Sequence, residues 1–355
     1  MKSRLVASSQ DMITTNAVAN SATTLLPSGA ILIVTRSGIL ARTVPLARTT
    51  REVAINQDIK ALLPGPKVTA EYLHYFLESE EAALLGHVSR GATVHRLETG
   101  VIRNLPISLP PLDEQRRIVV VLDAAFADLA TATAGTVVTR QSLRKAFNGH
   151  LEQTFLKLQH MVPTASIANL CHTTSGGTPL RSQADYFANG KIPWLMSSEV
   201  GAREIHSSSK FITEAGLKAS SAKLVPPDCV LVAMYGATAG EVGILRFAST
   251  TNQAVCAIHP TINLSPEYLY YSLLEQQSSL KQSATGNAQP NISQEKIRAL
   301  LLPVPPSDQQ TLIANSLWAL EDEFQAIDDG LSERVSLLGE LKQSLLHRAF
   351  TGQLT

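Results

Sequence analysis

The amino-acid sequence predicts an α+β protein built from two copies of one plan. It has two mixed α/β modules and two long helices packed as an antiparallel coiled coil, with a pseudo-twofold internal repeat. Three observations carry this. Short matches recur in the same order about 195–203 residues apart. A Pro-Pro pair in each copy separates a strand-and-turn region from a proline-free stretch. The apolar residues of the second such stretch recur at spacings of three and four. The 355 residues suit about two domains of roughly 100–200 residues, and 44% hydrophobic residues suffice for packed cores.

The copies can be followed in order. Met12-Ile-Thr14 through Ile31-Leu-Ile-Val34 lines up with Phe211-Ile-Thr213 through Val230-Leu-Val-Ala233 at an offset of 199. Asn56-Gln57 matches Asn252-Gln253, and Glu71-Tyr-Leu-His-Tyr75 matches Glu267-Tyr-Leu-Tyr-Tyr271, both at 196. Leu109-Pro-Pro-Leu-Asp-Glu-Gln115 matches Val304-Pro-Pro-Ser-Asp-Gln-Gln310 at 195, and Arg144-Lys-Ala-Phe147 matches His347-Arg-Ala-Phe350 at 203.

Ile31–Val34 and Val230–Ala233 are short β-rich runs bounded by Pro27 or Pro226 and by Gly38 or Gly236, which marks strands. The segments 71–78 and 267–275 carry Tyr and Leu at helical spacing, with Ser265 as N-cap and Pro266 suited to the first turn. After Pro305-Pro306, Ser307-Asp308 can cap a helix free of proline through Phe350. Its stripe runs through Ile313, Leu317, Leu320, Phe324, Ile327, Leu331, Val335, Leu338, Leu341 and Leu345. The partner helix carries Ile118, Leu122, Ala125, Leu129, Ala132, Leu143 and Phe147, although Gly135 and threonines 131, 133, 136 and 139 lower its propensity. The division is therefore a first module at 1–111, its helical spacer at 112–159, a second module at 160–306 and its spacer at 307–355. Leu122, Leu129, Leu317, Leu320, Phe324 and Leu331 are expected in the helix seam.

Two asymmetries stand out. Gln115 to Phe147 is 32 residues and Gln310 to Phe350 is 40, so the first helix is expected to be 8 residues shorter, about 12 Å at 1.5 Å per residue. Roughly 35–40 residues of the second module have no counterpart in the first, which is therefore expected to be incomplete at its N-terminal side, less stable and a poor reader.

Common enzyme signatures are missing: there is no phosphate-binding Gly-x-x-x-x-Gly-Lys-Ser/Thr loop, no Gly-x-Gly-x-x-Gly, no His-Glu-x-x-His and no Gly-x-Ser-x-Gly. Glu340-Leu-Lys342 lies in the long helix, where a surface charge pair is expected. Cys171, Cys229 and Cys256 lack metal-ligand spacing and read as buried thiols. The longest apolar run, 118–129, is interrupted by Asp123 and Asp128, and no apolar h-region follows Lys2 and Arg4. A cytoplasmic protein with no membrane span is the expectation.

What remains is a set of polar, glycine-rich loops at matching places in the two modules. Arg, Asn, Ser, Thr and Gln reach base edges and phosphates, and glycine permits close approach of backbone. The candidate DNA contacts are Arg36, Arg51, Arg90, Ser175, Arg181, Tyr235, Thr238, Asn252, Asn287 and Gln289. Net charge is modest, at +3 for residues 1–111, +1 for 160–306 and −5 for 307–355. A lone DNA binder is usually more basic, so partners are expected to supply much of the phosphate neutralisation.

The Pro-Pro-Leu-Asp-Glu-Gln115 motif, its echo at Gln310, and the ending Ala-Phe-Thr-Gly-Gln-Leu354 resemble the specificity subunit of type I restriction–modification systems. Ser-Gly-Gly-Thr-Pro179, Ile-Pro-Trp-Leu195, Tyr-Gly-Ala-Thr238 and Thr-Asn-Gln253 resemble that family's target recognition domain. The resemblance implies a non-catalytic reader of a bipartite duplex DNA target that docks methyltransferase subunits and, through them, restriction/motor subunits. It further implies that the helices set the spacing of the half-sites, and that the chain itself holds no cofactor. The alternative is a truncated or decayed copy acting only as a docking scaffold.

Overall fold

The structure is a computed structural model and describes residues 3–283 and 291–354. It divides into two compact units, Met1–Thr139 with Gly330–Thr355, and Arg140–Asp329. Helices Leu112–Met161 and Ser307–Phe350 each contribute one half to each unit.

In the first unit a four-stranded sheet has the order Leu5–Val6, Leu46–Thr49, Ile31–Val34, Ile59–Leu62. Its first pairing is parallel and the others antiparallel, with Ile31 opposite both Arg48 and Leu62. Helix Ala70–Ser79, capped by the Thr69 hydroxyl, buries Phe76 and Leu77 beside Ile31. The same helix presents Tyr72 and Tyr75 to a cluster of Ile118, Leu122, Phe126, Leu346 and Ala349 from the two long helices.

The second unit repeats the plan with one strand more in its main sheet. Its main sheet runs Glu204–Ile205, Val242–Leu245, Val230–Ala233, Val255–His259, His172–Ser175, with Val230 opposite Ile244 and Ile258. A second, four-stranded sheet contains Ile192–Leu195 and Ser249–Thr251. Helix Pro266–Glu275 starts as expected, the Ser265 hydroxyl accepting from the Tyr268 amide and Pro266 in the first turn. Within this unit Arg140 pairs with Asp328 and Phe147 stacks on Phe324 at 5.5 Å, so partner numbers fall as the first helix advances and the pair is antiparallel.

The helix lengths reverse the expectation from the motif intervals. The first helix is 50 residues long and the second 44. Phe147 does not end the first helix, because no Pro or Gly after Gly149 interrupts it before Pro163. The second stops at Phe350 and is followed by Gly352 in a left-handed conformation, φ +73°. The threonine-rich middle of the first helix also stays helical, with the hydroxyls of Thr131, Thr136 and Thr139 bonded to the carbonyls four residues back.

The seam follows the expected stripe only in part. Leu122 and Leu317 are buried; Leu129, Leu320, Phe324 and Leu331 are half-buried. Ile327 and Leu341 are exposed, while Leu346 and Ala349 take the buried positions near the helix end. Lys342 is not the expected surface decoration. It donates to Glu78 at 2.7 Å and lies 5.2 Å from the Phe126 ring centroid.

By length and composition, one helix among the described residues, Leu112–Met161, could cross a membrane. Its apolar residues Ile118, Leu122 and Phe126 are spent in the first unit's core, and Asp123 accepts from the Tyr75 hydroxyl there.

The motif glutamines explain why each Pro-Pro is followed by one. Gln115 and Gln310 are fully buried. The Gln115 amide oxygen accepts from the Thr69 N–H, while its nitrogen donates to the carbonyls of Lys67 and Pro110. Gln310 does the same with the Ser265 N–H and the Asn263 and Pro305 carbonyls. Each glutamine thus ties the start of a long helix to the loop leading into its module's own helix.

Candidate nucleic-acid interface

In the first unit a small sheet packs strand Arg36–Ser37 against His95–Leu97, which pairs in turn with Val88–Ser89. The register sets Arg36 directly opposite Arg96. Like charges facing each other across strands repel, and the local anions answer only in part. Arg36 comes within 3.9 Å of the Asp58 carboxylate, Arg96 within 3.2 Å of Glu98, and all four side chains keep substantial exposure. Arg36, Asp58 and Arg96 line a cleft of about 510 Å³ with Lys60 and Thr99, and Glu98 stands beside it. Three cations against two carboxylates, on solvent-facing strands, make a site suited to a polyanion.

The second unit has Tyr235 and Asn291 bridged at the corresponding place. Tyr235 is exposed and leads into a 3-10 turn, Gly236–Thr238, whose glycine holds φ +78°. That backbone conformation favours glycine and carries the half-buried Thr238 on the same turn. The two units therefore offer different chemistry from one position: a cationic pair in the first, an aromatic hydroxyl with an amide in the second.

The other candidates are placed as follows. Arg51 is exposed in the bend after Leu46–Thr49, and Arg90 is exposed just beyond Val88–Ser89. Arg181 is exposed in a turn, and Ser175 ends the edge strand His172–Ser175, half-buried. Asn252 is buried, its side-chain oxygen accepting from the Ala254 amide, so it shapes a turn rather than facing solvent. Asn287 and Gln289 lie outside the described residues. Gly176 and Gly177 serve close packing within the protein: a Cβ on the first would stand 2.0 Å from the Thr251 carbonyl oxygen, and on the second 2.3 Å from the Ser221 hydroxyl. The Gly177 carbonyl also accepts from the Trp194 indole at 2.9 Å.

Sequence reasoning missed Arg96 and Lys60, which join Arg36 only through strand register. It also missed a pair of clamps. Arg4 precedes the parallel edge strand of the first unit and bonds Glu78 while lying 4.3 Å over the Tyr75 ring. Arg203 precedes the equivalent strand of the second, paired with Glu321 and Asp322 and 4.0 Å over the Trp318 ring.

Among the described residues no group of three or more His, Cys, Asp and Glu side chains is placed to hold a metal ion. Cys229 Sγ lies 3.3 Å from His259 Nδ1, but burial pushes the thiol up to about 12, which keeps it protonated and unreactive near neutral pH. Cys171 and Cys256 are likewise buried.

The chain is similar to several known proteins. The family model for the type I restriction modification DNA specificity domain matches residues 5–136 and 162–336. The chain belongs to this family. It is 24% identical over 241 residues to the EcoR124I/EcoR124II specificity subunit of Escherichia coli, a match covering 66% of this chain and 60% of that protein. It is 22% identical over 361 residues to the MjaIX specificity subunit of Methanocaldococcus jannaschii, covering 96% and 81%. Among solved structures, a chain from work on complex assembly and conformational transition of the type I R-M system superposes with a TM-score of 0.75 at 19% identity, covering 93% and 84%. The HsdS subunit from Thermoanaerobacter tengcongensis superposes at 0.51 with 19% identity, covering 93% and 82%.

Proposed function

We propose that the chain is a non-catalytic specificity subunit that binds duplex DNA, reads a bipartite target with its two modules, and docks methyltransferase subunits. Restriction/motor subunits join through the assembled complex, in the cytoplasm. In this reading residues 1–111 and 160–306 are the recognition modules, and 112–159 and 307–355 are spacers. The observation that carries it is the repeated presentation described above: Arg36 opposite Arg96, and Tyr235 opposite Asn291, at matching positions of two copies of one fold. Side chains that differ at a shared position are what reading two different half-sites requires. The near-zero overall charge is consistent with partners that supply phosphate contacts.

Affinity selection on random duplex DNA, with the chain co-expressed with its methyltransferase partner, tests this. Two conserved blocks around a fixed gap are expected, the one read by the first module being the weaker. One block would restrict reading to a single module, and no enrichment would leave a docking scaffold.

A further inference from the structure

The arginines at the foot of the two parallel edge strands occupy one position of the repeat. Arg4 and Arg203 are 199 residues apart, the offset that also relates Met12 to Phe211. The strands they introduce pair with equivalent partners, Leu5 opposite Arg48 and Glu204 opposite Ile244. On the long helices, the offset of 195 that relates Gln115 to Gln310 sets Asp123 against Trp318 and Phe126 against Glu321. Each helix thus carries one acid and one aromatic ring about a turn apart, in opposite order.

The same groups nevertheless meet in both units. In the first, Arg4 lies 4.3 Å from the Tyr75 ring centroid and 5.4 Å from that of Phe126, and the Tyr75 hydroxyl donates to Asp123. Arg4 also bonds Glu78, which accepts from Lys342 of the second long helix. In the second, Arg203 lies 4.0 Å over the Trp318 ring and bonds Glu321 at 3.2 Å, and the Tyr271 hydroxyl donates to Glu321 at 2.8 Å. Acid and ring trade places, while the arginine and the module's tyrosine stay.

Each module already rests on the long helices through its own short helix, by Tyr72 and Tyr75 in the first unit and Tyr268 and Tyr271 in the second. Apolar contact is non-directional, and helix pairs of one packing class still scatter by about 15–20°. The arginine adds an attachment from a strand, and a guanidinium held by carboxylates over a ring is directional. Two attachments on different elements fix a tilt that one leaves loose. A domain about 30 Å across that tilts by about 6–7° moves its far face by one base-pair step of about 3.4 Å. We propose that Arg203, and Arg4 at the equivalent place, are positioning residues for DNA reading: each fixes the tilt of its module on the long helices and so the single gap at which the half-sites are accepted. The inference rests on the DNA reading proposed above, and neither arginine need touch a base.

The test uses the full chain with its methyltransferase partner, selecting on random duplex DNA. For Arg203→Gln the bases of both blocks are expected to stay, while the preference for one gap over its neighbours falls about tenfold or more. Arg203→Lys keeps the charge but not the planar fork and is expected to fall with it; Arg4→Gln acts likewise from the first module. Val230→Ala weakens the second unit inside its sheet and is expected to keep the gap. An unchanged gap preference in Arg203→Gln, or an equal loss in Val230→Ala, overturns the proposal. Without DNA, spin labels at Lys223→Cys in the module and Gln325→Cys on the helix read the tilt, since Cys171, Cys229 and Cys256 are buried. Their distance distribution is expected to broaden in Arg203→Gln, and a distribution as narrow as the parent's overturns the proposal whatever the selection shows. A parent chain that selects no fixed gap overturns the DNA reading instead, and the clamp is then judged by the label distances.

Discussion

Gln115 and Gln310 show how much one buried side chain can hold. Replacing Gln310 with Ala leaves the Ser265 N–H and the Asn263 and Pro305 carbonyls without their partner. Buried unsatisfied groups cost about 1–3 kcal/mol each, so Gln310→Ala is expected to destabilise the second unit by roughly 3 kcal/mol or more in urea unfolding, and Gln115→Ala the first by a similar amount. His74 gives a pH dependence. It is buried with Nδ1 unpartnered, and burial, aided by the Arg4 charge, lowers its pKa to about 4. The unfolded chain protonates it near 6.5, so between these values the unfolded state binds more protons. The stability that a neutral His74 contributes is complete above about 6.5 and is lost as pH falls towards 4, a span on the order of 3 kcal/mol. Amides of helix Ala70–Ser79 are expected to exchange faster at pH 5 than at pH 7 after correction for intrinsic rates, and His74→Phe to abolish the difference.

At the level of elements, the seam offers a graded test. Leu122 and Leu317 are 0–1% exposed, so truncation to Ala is expected to cost about 2–5 kcal/mol; Leu331→Ala, half-buried, should cost clearly less by the same unfolding assay. Much of this scale is legible in the chain. The strands at Ile31 and Val230, the helix caps and the start of the second long helix follow from local chemistry that acts within a few residues. The relative lengths of the helices do not: equating Phe147 with Phe350 made the first helix the shorter, whereas it runs on to Met161 with no Gly or Pro after Gly149 to stop it. Arg4 and Arg203 were illegible because their partners lie 74 and 118 residues away. Arg36 was found from residue type alone, while Arg96 required the strand register. Asn252 had the right chemistry for a contact, but its place in the interior depends on packing that no local pattern encodes.

For the whole molecule, weak net charge and a localised cationic pair lead to a definite expectation. Arg36→Ala and Arg96→Ala should each weaken DNA binding by the assembled complex, and removing a phosphate contact lowers the salt slope by about 1. Fluorescence titration over a range of salt concentrations measures both; unchanged affinity and slope for the double variant would remove this face from the interface. The glutamine ties carry a consequence of another kind. Every partner of Gln115 and Gln310 is a main-chain atom, so neither socket depends on the identity of the side chains around it. A foreign module grafted at the Pro-Pro junction meets this socket with one free amide and one free carbonyl in its approach loop, beside the proline carbonyl supplied by the junction itself, while its helix must still fill the apolar seat that Tyr72 and Tyr75 occupy on the long helices. The hydrogen-bonded half of the joint is blind to cargo; the apolar half is where a graft has to be matched.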